Sequence, residues 1–186
     1  MQLLKGDLHM QLGLKGNEVK LVPYDQEWKC EFQRVRANIM EQSTIESDRI
    51  QHIGSTSIEG IQAKPIVDIL IGVDNLEQSS ESLLKKLRNI GFYRLRVKRP
   101  NEIVCAKFTD DTFEVKTHFI HIVNFQGEKW HDLLFFRDFL NNNDSVKKQY
   151  ETLKASFLKN QLNGIEEYTL YKEQFVQSIV NKRHFL

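Results

Sequence analysis

Residues Arg49 to Val73, RIQHIGSTSIEGIQAKPIVDILIGV, constrain the chain more than any other stretch, because they set a Gly-Ser turn between two strand-like runs and place an aspartate inside the second. Ile50 to Ile53 leads into the turn, and Ile66 to Val73 carries Asp68 among Ile66, Val67, Ile69 and Leu70. Gly54 lets the backbone bend sharply and approach a ligand. Ser55, Thr56 and Ser57 supply hydroxyls and amides at the start of a helical turn, where anions are favoured. A carboxylate in such apolar company is costly to bury unpaired, so a divalent cation or a nearby lysine is expected beside Asp68. The layout is that of a site for phosphate and metal.

With 186 residues, 40% of them hydrophobic, the chain can build one good core and is short for two, so a single domain over residues 1–186 is expected. Residues 1–17 read as an arm, 18–127 as a mixed-sheet core and 128–186 as helices. In order, the pattern predicts a strand from Asn17 to Tyr24 and a helix capped by Asp25 and running to Gln42, with Trp28, Phe32, Val35 and Ile39 on one face. After the two strands around the turn, Asp74 or Asn75 caps a second helix that Gly91 stops. Strands 92–97, 102–109 and 113–124, divided by Pro100-Asn101 and Asp110-Asp111, read as an antiparallel meander. Helices follow at 129–140, 145–162 and 166–181. The fold class expected is α+β, a mixed sheet flanked by helices with a helical C-terminal third.

A formal net charge of +1 argues against a dedicated polyanion binder and leaves room for a local phosphate site. Cys30 and Cys105 fall in unlike contexts and read as two reduced thiols. No apolar run approaches the length of a membrane span, and the opening MQLLKGDLHM lacks a secretory hydrophobic segment, so a soluble cytoplasmic protein is expected.

Five ordered segments resemble the GrpB family: Val22 to Trp28 (VPYDQEW), His52 to Ser57 (HIGSTS), Ala63 to Asp68 (AKPIVD), Phe136 to Leu140 (FRDFL) and Tyr150 to Lys154 (YETLK). The resemblance implies a nucleotidyltransferase-like fold, whose signature is a Gly-Ser turn followed by two metal-binding carboxylates one residue apart. Counted from Gly54, those positions are Ile66 and Asp68, so half of the pair is kept. The resemblance also implies Mg2+ or Mn2+ as cofactor and a nucleotide or phosphorylated small molecule as partner. Where the family usually has proline before Gly60, this chain has Glu59, which adds negative charge near the turn. A histidine common in relatives is replaced by Phe119. In some relatives a similar domain is fused to a kinase of coenzyme A biosynthesis.

Asp68 is the first candidate as catalytic group and metal ligand, since magnesium needs few protein carboxylates when phosphates complete its shell; the alternative is an ion pair with Lys64 or another buried cation. Gly54, Ser55, Thr56 and Ser57 are candidates to hold phosphate, against an ordinary capped turn. Lys64, set before Pro65, could reach the same phosphate or lie solvated. Along 114–123 a period of two puts Glu114, Lys116 and His118 on one face and Val115, Thr117, Phe119 and His121 on the other. His121 is read as an acid/base or substrate-binding residue, with a core histidine as the alternative. Lys116 and His118 are candidate substrate contacts, and Glu114 is the candidate second metal carboxylate, or a strand-end charge. Arg137, beside Asp138, and Lys154, with Lys172 behind it, could meet phosphate oxygens or simply brace the helices.

Arg94, Arg96 and Lys98 alternate within a stretch, Lys85 to Arg99, that no acidic residue interrupts; it either steers an anion or is a solvated face. Aromatic residues there are limited to Phe92 and Tyr93, so sequence-specific nucleic-acid reading is not expected. The leading function is binding of a nucleotide or phosphorylated metabolite with a divalent ion and transfer of a nucleotidyl group to an acceptor. A noncatalytic phosphate-binding module competes with it, as does a metal-dependent phosphohydrolase using His118 or His121.

Overall fold

In a computed structural model of the chain, residues 10–159 and 164–185 are described. The apolar run after Pro65 becomes β3 (Val67–Val73), and its neighbours are β2 (Ile50–Ile53), antiparallel, and β6 (Val115–Asn124), parallel. Antiparallel β5 (Ile103–Phe108) and β4 (Phe92–Arg94) complete the order β2-β3-β6-β5-β4. A two-residue β1 (Leu14–Lys15) pairs with the start of β6, before β3 begins. The meander and the mixed α+β architecture expected from the pattern are the ones observed.

Strand alternation sorts the side chains of β3 and β6 between two helical layers. Val67, Ile69 and Ile71, with Ile120 and Ile122, face α1 (Glu27–Gln42) and α2 (Leu76–Asn89), where Trp28, Phe32, Val35, Ile39, Leu83 and Leu87 close the larger core. Leu70 and Val123 face the other way, onto Trp130 of α3 (Glu128–Asn141). With α4 (Asp144–Lys159) and α5 (Ile165–Val180), α3 builds a second core from Phe136, Leu140, Tyr150, Ile179 and Val180, to which Ile58 and Ile61 of the segment after the turn contribute. Asp68 shares its face with Leu70. Period two alone therefore turns its carboxylate toward the C-terminal helices.

Helix caps fall where the side chains allow. The N-cap of α1 is Gln26 rather than the expected Asp25, which lies one residue earlier and whose Oδ1 accepts from the Glu27 amide at 2.9 Å. The N-cap of α2 is Asn75, whose Oδ1 accepts from Glu77 and Gln78 at 2.9 and 3.0 Å. Gly91 leaves α2 with φ +87°.

Three boundaries differ from the pattern. The strand expected at 17–24 is reduced to one bridge, Val22 with Ala63, because Val22 meets only the loop before β3 rather than a sheet edge. The expected arm contributes β1, while residues 1–9 lie outside the described residues. The strand from Phe92 stops at Arg94, and residues 160–162 of the expected helix 145–162 also lie outside the described residues. Cys30 is exposed and Cys105 buried, both free. Among the described residues no helix is long and apolar enough to cross a membrane.

Candidate functional site

The bend and the acid meet. Gly54 has φ +71°, and a Cβ placed on it would lie 2.1 Å from Asp68 Oδ2, so only glycine lets the carboxylate rest against the turn. The next three residues form one turn of 3-10 helix, Ser55–Ser57. Two of its hydroxyls are spent inside the fold: Ser57 Oγ donates to the Gly54 carbonyl at 2.7 Å, and Thr56 Oγ1 donates to the Ile66 carbonyl at 3.3 Å. Because that hydroxyl is the donor, His52 Nε2–H donates to it at 3.0 Å, and burial pushes the His52 ring down to about 4, neutral. Ser55 Oγ instead faces outward to the Tyr150 hydroxyl of α4, 3.3 Å away.

Around this point stand lysines on tyrosine faces. The Lys64 and Lys172 ammoniums lie 5.1 and 4.2 Å from the centre of one ring, Tyr168 of α5, and the Lys154 ammonium lies 4.8 Å from the centre of Tyr150. Burial pushes Lys64 and Lys172 down to about 8, with the charge of Lys172 adding to the effect on Lys64 and Asp68 opposing it on both. Lys154 is fully buried, donates to the Gln62 carbonyl and is pushed down by burial to about 7. It braces the segment before β3 from within, while Lys64 and Lys172 keep part of their surface exposed. Burial also pushes the Tyr150 hydroxyl up to about 12.

On the far side of Asp68, His121 Nε2 approaches Oδ1 at 3.6 Å, an ion-pair distance rather than a hydrogen bond. Its Nδ1 hydrogen-bonds Glu102, a carboxylate 2% exposed that Arg99 and Lys129 approach at 3.5 and 4.0 Å. Burial works against a charged imidazole, yet the two carboxylates outweigh it and hold His121 at about 9. Burial likewise pushes the Glu102 carboxyl up, and His121, Arg99 and Lys129 together bring it below its ordinary range. Glu102 escaped sequence reasoning because an acid just past a Pro-Asn turn reads as solvated. The signal was the meander itself, which pairs Val104 with His121 and so brings Glu102 alongside.

Other candidates lie elsewhere. Glu114 precedes β6, is exposed, and faces Lys15 at 3.9 Å. Phe119 is the residue opposite Asp68 on the ladder, so Glu114 stands about 16 Å along the strand from it. His118 is buried on the opposite face of the sheet from His121, with Nε2 2.9 Å from Glu31 Oε1 without hydrogen-bond alignment. Lys116 stands 5.9 Å from the Phe108 ring and is close enough to Lys64 to oppose its charge. Arg137 is engaged by protein: it forks onto Asp138 at 2.7 and 3.1 Å and donates to the His52 carbonyl at 3.0 Å, tying α3 to β2. Glu59 is paired with Lys29, so its charge is met away from the turn.

Magnesium or manganese does not fit this donor set. Ile66 stands where the carboxylate pair has its other member, Glu102 is committed to His121, and Asp68 already faces the cations His121, Lys64 and Lys172, whose charge a metal ion would have to displace. Among the described residues no group of three or more His, Cys, Asp or Glu side chains is placed to hold a metal ion.

The model of the GrpB protein family matches residues 18–182. The chain belongs to the GrpB family. The glutamate-rich protein GrpB of Alkalihalophilus pseudofirmus is 40% identical over 172 residues, covering 92% of this chain and 99% of the relative. The crystal structure of a conserved GrpB protein from Enterococcus faecalis superposes with a TM-score of 0.73 at 25% identity, over 90% of this chain and all of that one. A cytoplasmic RNA terminal U-transferase reaches a TM-score of 0.50 at 16% identity, over 74% of this chain and 43% of the other, a likeness of fold alone.

Proposed function

We propose that this GrpB protein binds a nucleotide or related phosphorylated metabolite through its phosphates, without a resident metal ion. The observation that carries this is the pair of partly exposed lysines, Lys64 and Lys172, both seated on the Tyr168 ring, together with the Ser55 hydroxyl that meets the hydroxyl of Tyr150. Two cations so close together repel, and a bound anion removes that repulsion while accepting hydrogen bonds from Nζ and Oγ. Asp68 sets the limit of the anion's approach. His121, tied to Glu102, keeps that carboxylate partly neutralised, so a phosphate beside it meets less repulsion.

Calorimetry with pyrophosphate and with each nucleoside triphosphate in EDTA tests the reading. Binding should persist without metal and weaken at least about tenfold in Lys64→Met/Lys172→Met, the loss of roughly one charge-assisted contact. Binding that requires added magnesium or manganese, or that ignores the double substitution, would overturn it.

Nucleotidyl transfer is the second reading, favoured by the apposition of Gly54 and Asp68 in this fold. It predicts pyrophosphate release from a nucleoside triphosphate with added metal, abolished by Asp68→Asn; binding with no turnover leaves the first reading standing. The phosphohydrolase reading has less support, because His118 is buried against Glu31 and His121 is engaged by Glu102 and Asp68.

A further inference from the structure

The segment joining β4 to β5 borders an open cleft of about 580 Å3, lined by Arg94, Arg96, Lys98, Arg99, Glu102 and Ile103, with Leu95 and Val97 between the basic residues. The size falls within the range of small-molecule sites, about 300–1,000 Å3. Its charge is one-sided. Glu102 is the one carboxylate in the lining, and it is already committed to His121, Arg99 and Lys129. Among the described residues, Arg94, Arg96 and Lys98 have no carboxylate partner within ion-pair distance, although cations of this kind are readily paired where an acid is near. The hairpin is fixed in shape by the Arg99–Glu102 bridge and by the Leu95 amide donating to the Val104 carbonyl at 2.8 Å.

We infer that this cleft is a second anion site, which takes a small organic phosphate: the phosphate on the guanidinium and ammonium rim, the organic part against Leu95, Val97 and Ile103. Arginine forks match phosphate oxygens two at a time, whereas a nucleic-acid strand would need stacking rings that the cleft lining lacks. The placement carries a consequence for the site around Ser55. Glu102 forms the wall of the cleft, its carboxylate holds His121, and His121 faces Asp68, so one chain of three side chains joins the two sites. The inference builds on the proposed phosphate site only in this coupling; the cleft stands by itself.

Calorimetric titration of the full chain with pyrophosphate in EDTA separates the possibilities. Two sites per chain are expected, with Arg96→Glu/Lys98→Glu weakening one about tenfold or more and Lys64→Met/Lys172→Met weakening the other. Lys85→Glu/Lys86→Glu, an equal charge change on α2, should leave both sites in place. Loss of a site in the Arg96/Lys98 variant alone, with no effect of the Lys64/Lys172 variant, would keep the cleft and sink the site at Ser55. Equal weakening by the α2 variant, an unchanged titration in Arg96→Glu/Lys98→Glu, or binding confined to a short single-stranded oligonucleotide would overturn the inference.

Discussion

His121 makes contact with a carboxylate from each of its ring nitrogens, and the sign of its titration follows from that. Its folded value, about 9, lies above the ordinary 6.5, so the stabilisation is complete below about 6.5 and is lost as pH rises through about 9. Replacing Glu102 by Gln keeps the shape and removes one charge. The His121 ring protons, followed by NMR, should then titrate nearer 6.5, and the loss of stability between neutral and alkaline pH should shrink by something on the order of 1–2 kcal/mol. A wild-type ring that already titrates at its ordinary value would contradict the geometry. Lys64 and Lys172 are shifted in the opposite direction, down from the ordinary 10.5. Both lose their charge as pH rises through about 8, so pyrophosphate affinity should be full below that pH and fall above it. Near pH 8, binding should also take up protons, seen as a calorimetric enthalpy that varies with the ionisation enthalpy of the buffer. A flat profile from pH 6 to 10 would mean that these lysines do not hold the anion.

At the level of elements, the turn between β2 and β3 offers an internal comparison. Gly54 and Gly60 have similar φ, +71° and +79°, but a Cβ on Gly54 runs into Asp68 while one on Gly60 meets nothing within 4 Å. Gly60→Ala should therefore cost about 1 kcal/mol of backbone strain, and Gly54→Ala about 2–4 kcal/mol, measured by urea unfolding. Equal costs would show that the carboxylate does not press on the turn. The same stretch shows what was legible in the sequence. Gly54 and Asp68 were found because a glycine turn and an acid within an aliphatic strand are both locally unusual. The outward hydroxyl of Ser55 could not be told from those of Thr56 and Ser57, since which hydroxyl is spent depends on the Gly54 and Ile66 carbonyls. Arg137 was equally ambiguous. Its fork suits a phosphate or Asp138, and the packing of α3 on β2 decides between them.

For the molecule as a whole, the sheet acts as a divider. Helices α1 and α2 seal one face over an apolar core beside which His118 meets Glu31, and α3, backed by α4 and α5, covers the other, where Asp68 and His121 emerge. The alternation of β6 by itself separates the two histidines. The tyrosines that seat the lysines were harder, because Tyr150 and Tyr168 look like core residues of amphipathic helices. Only the docking of α4 and α5 onto the turn brings them to Ser55 and Lys64. The measurement that bears most directly on the account is a crystal structure of the protein with a nucleoside triphosphate and manganese, the metal located by its anomalous scattering. The account predicts phosphate oxygens within hydrogen-bond distance of Ser55 Oγ and the Lys64 and Lys172 ammoniums, with no manganese on Asp68. A phosphate tail held to Asp68 through manganese, with the two lysines left in solvent, would contradict it.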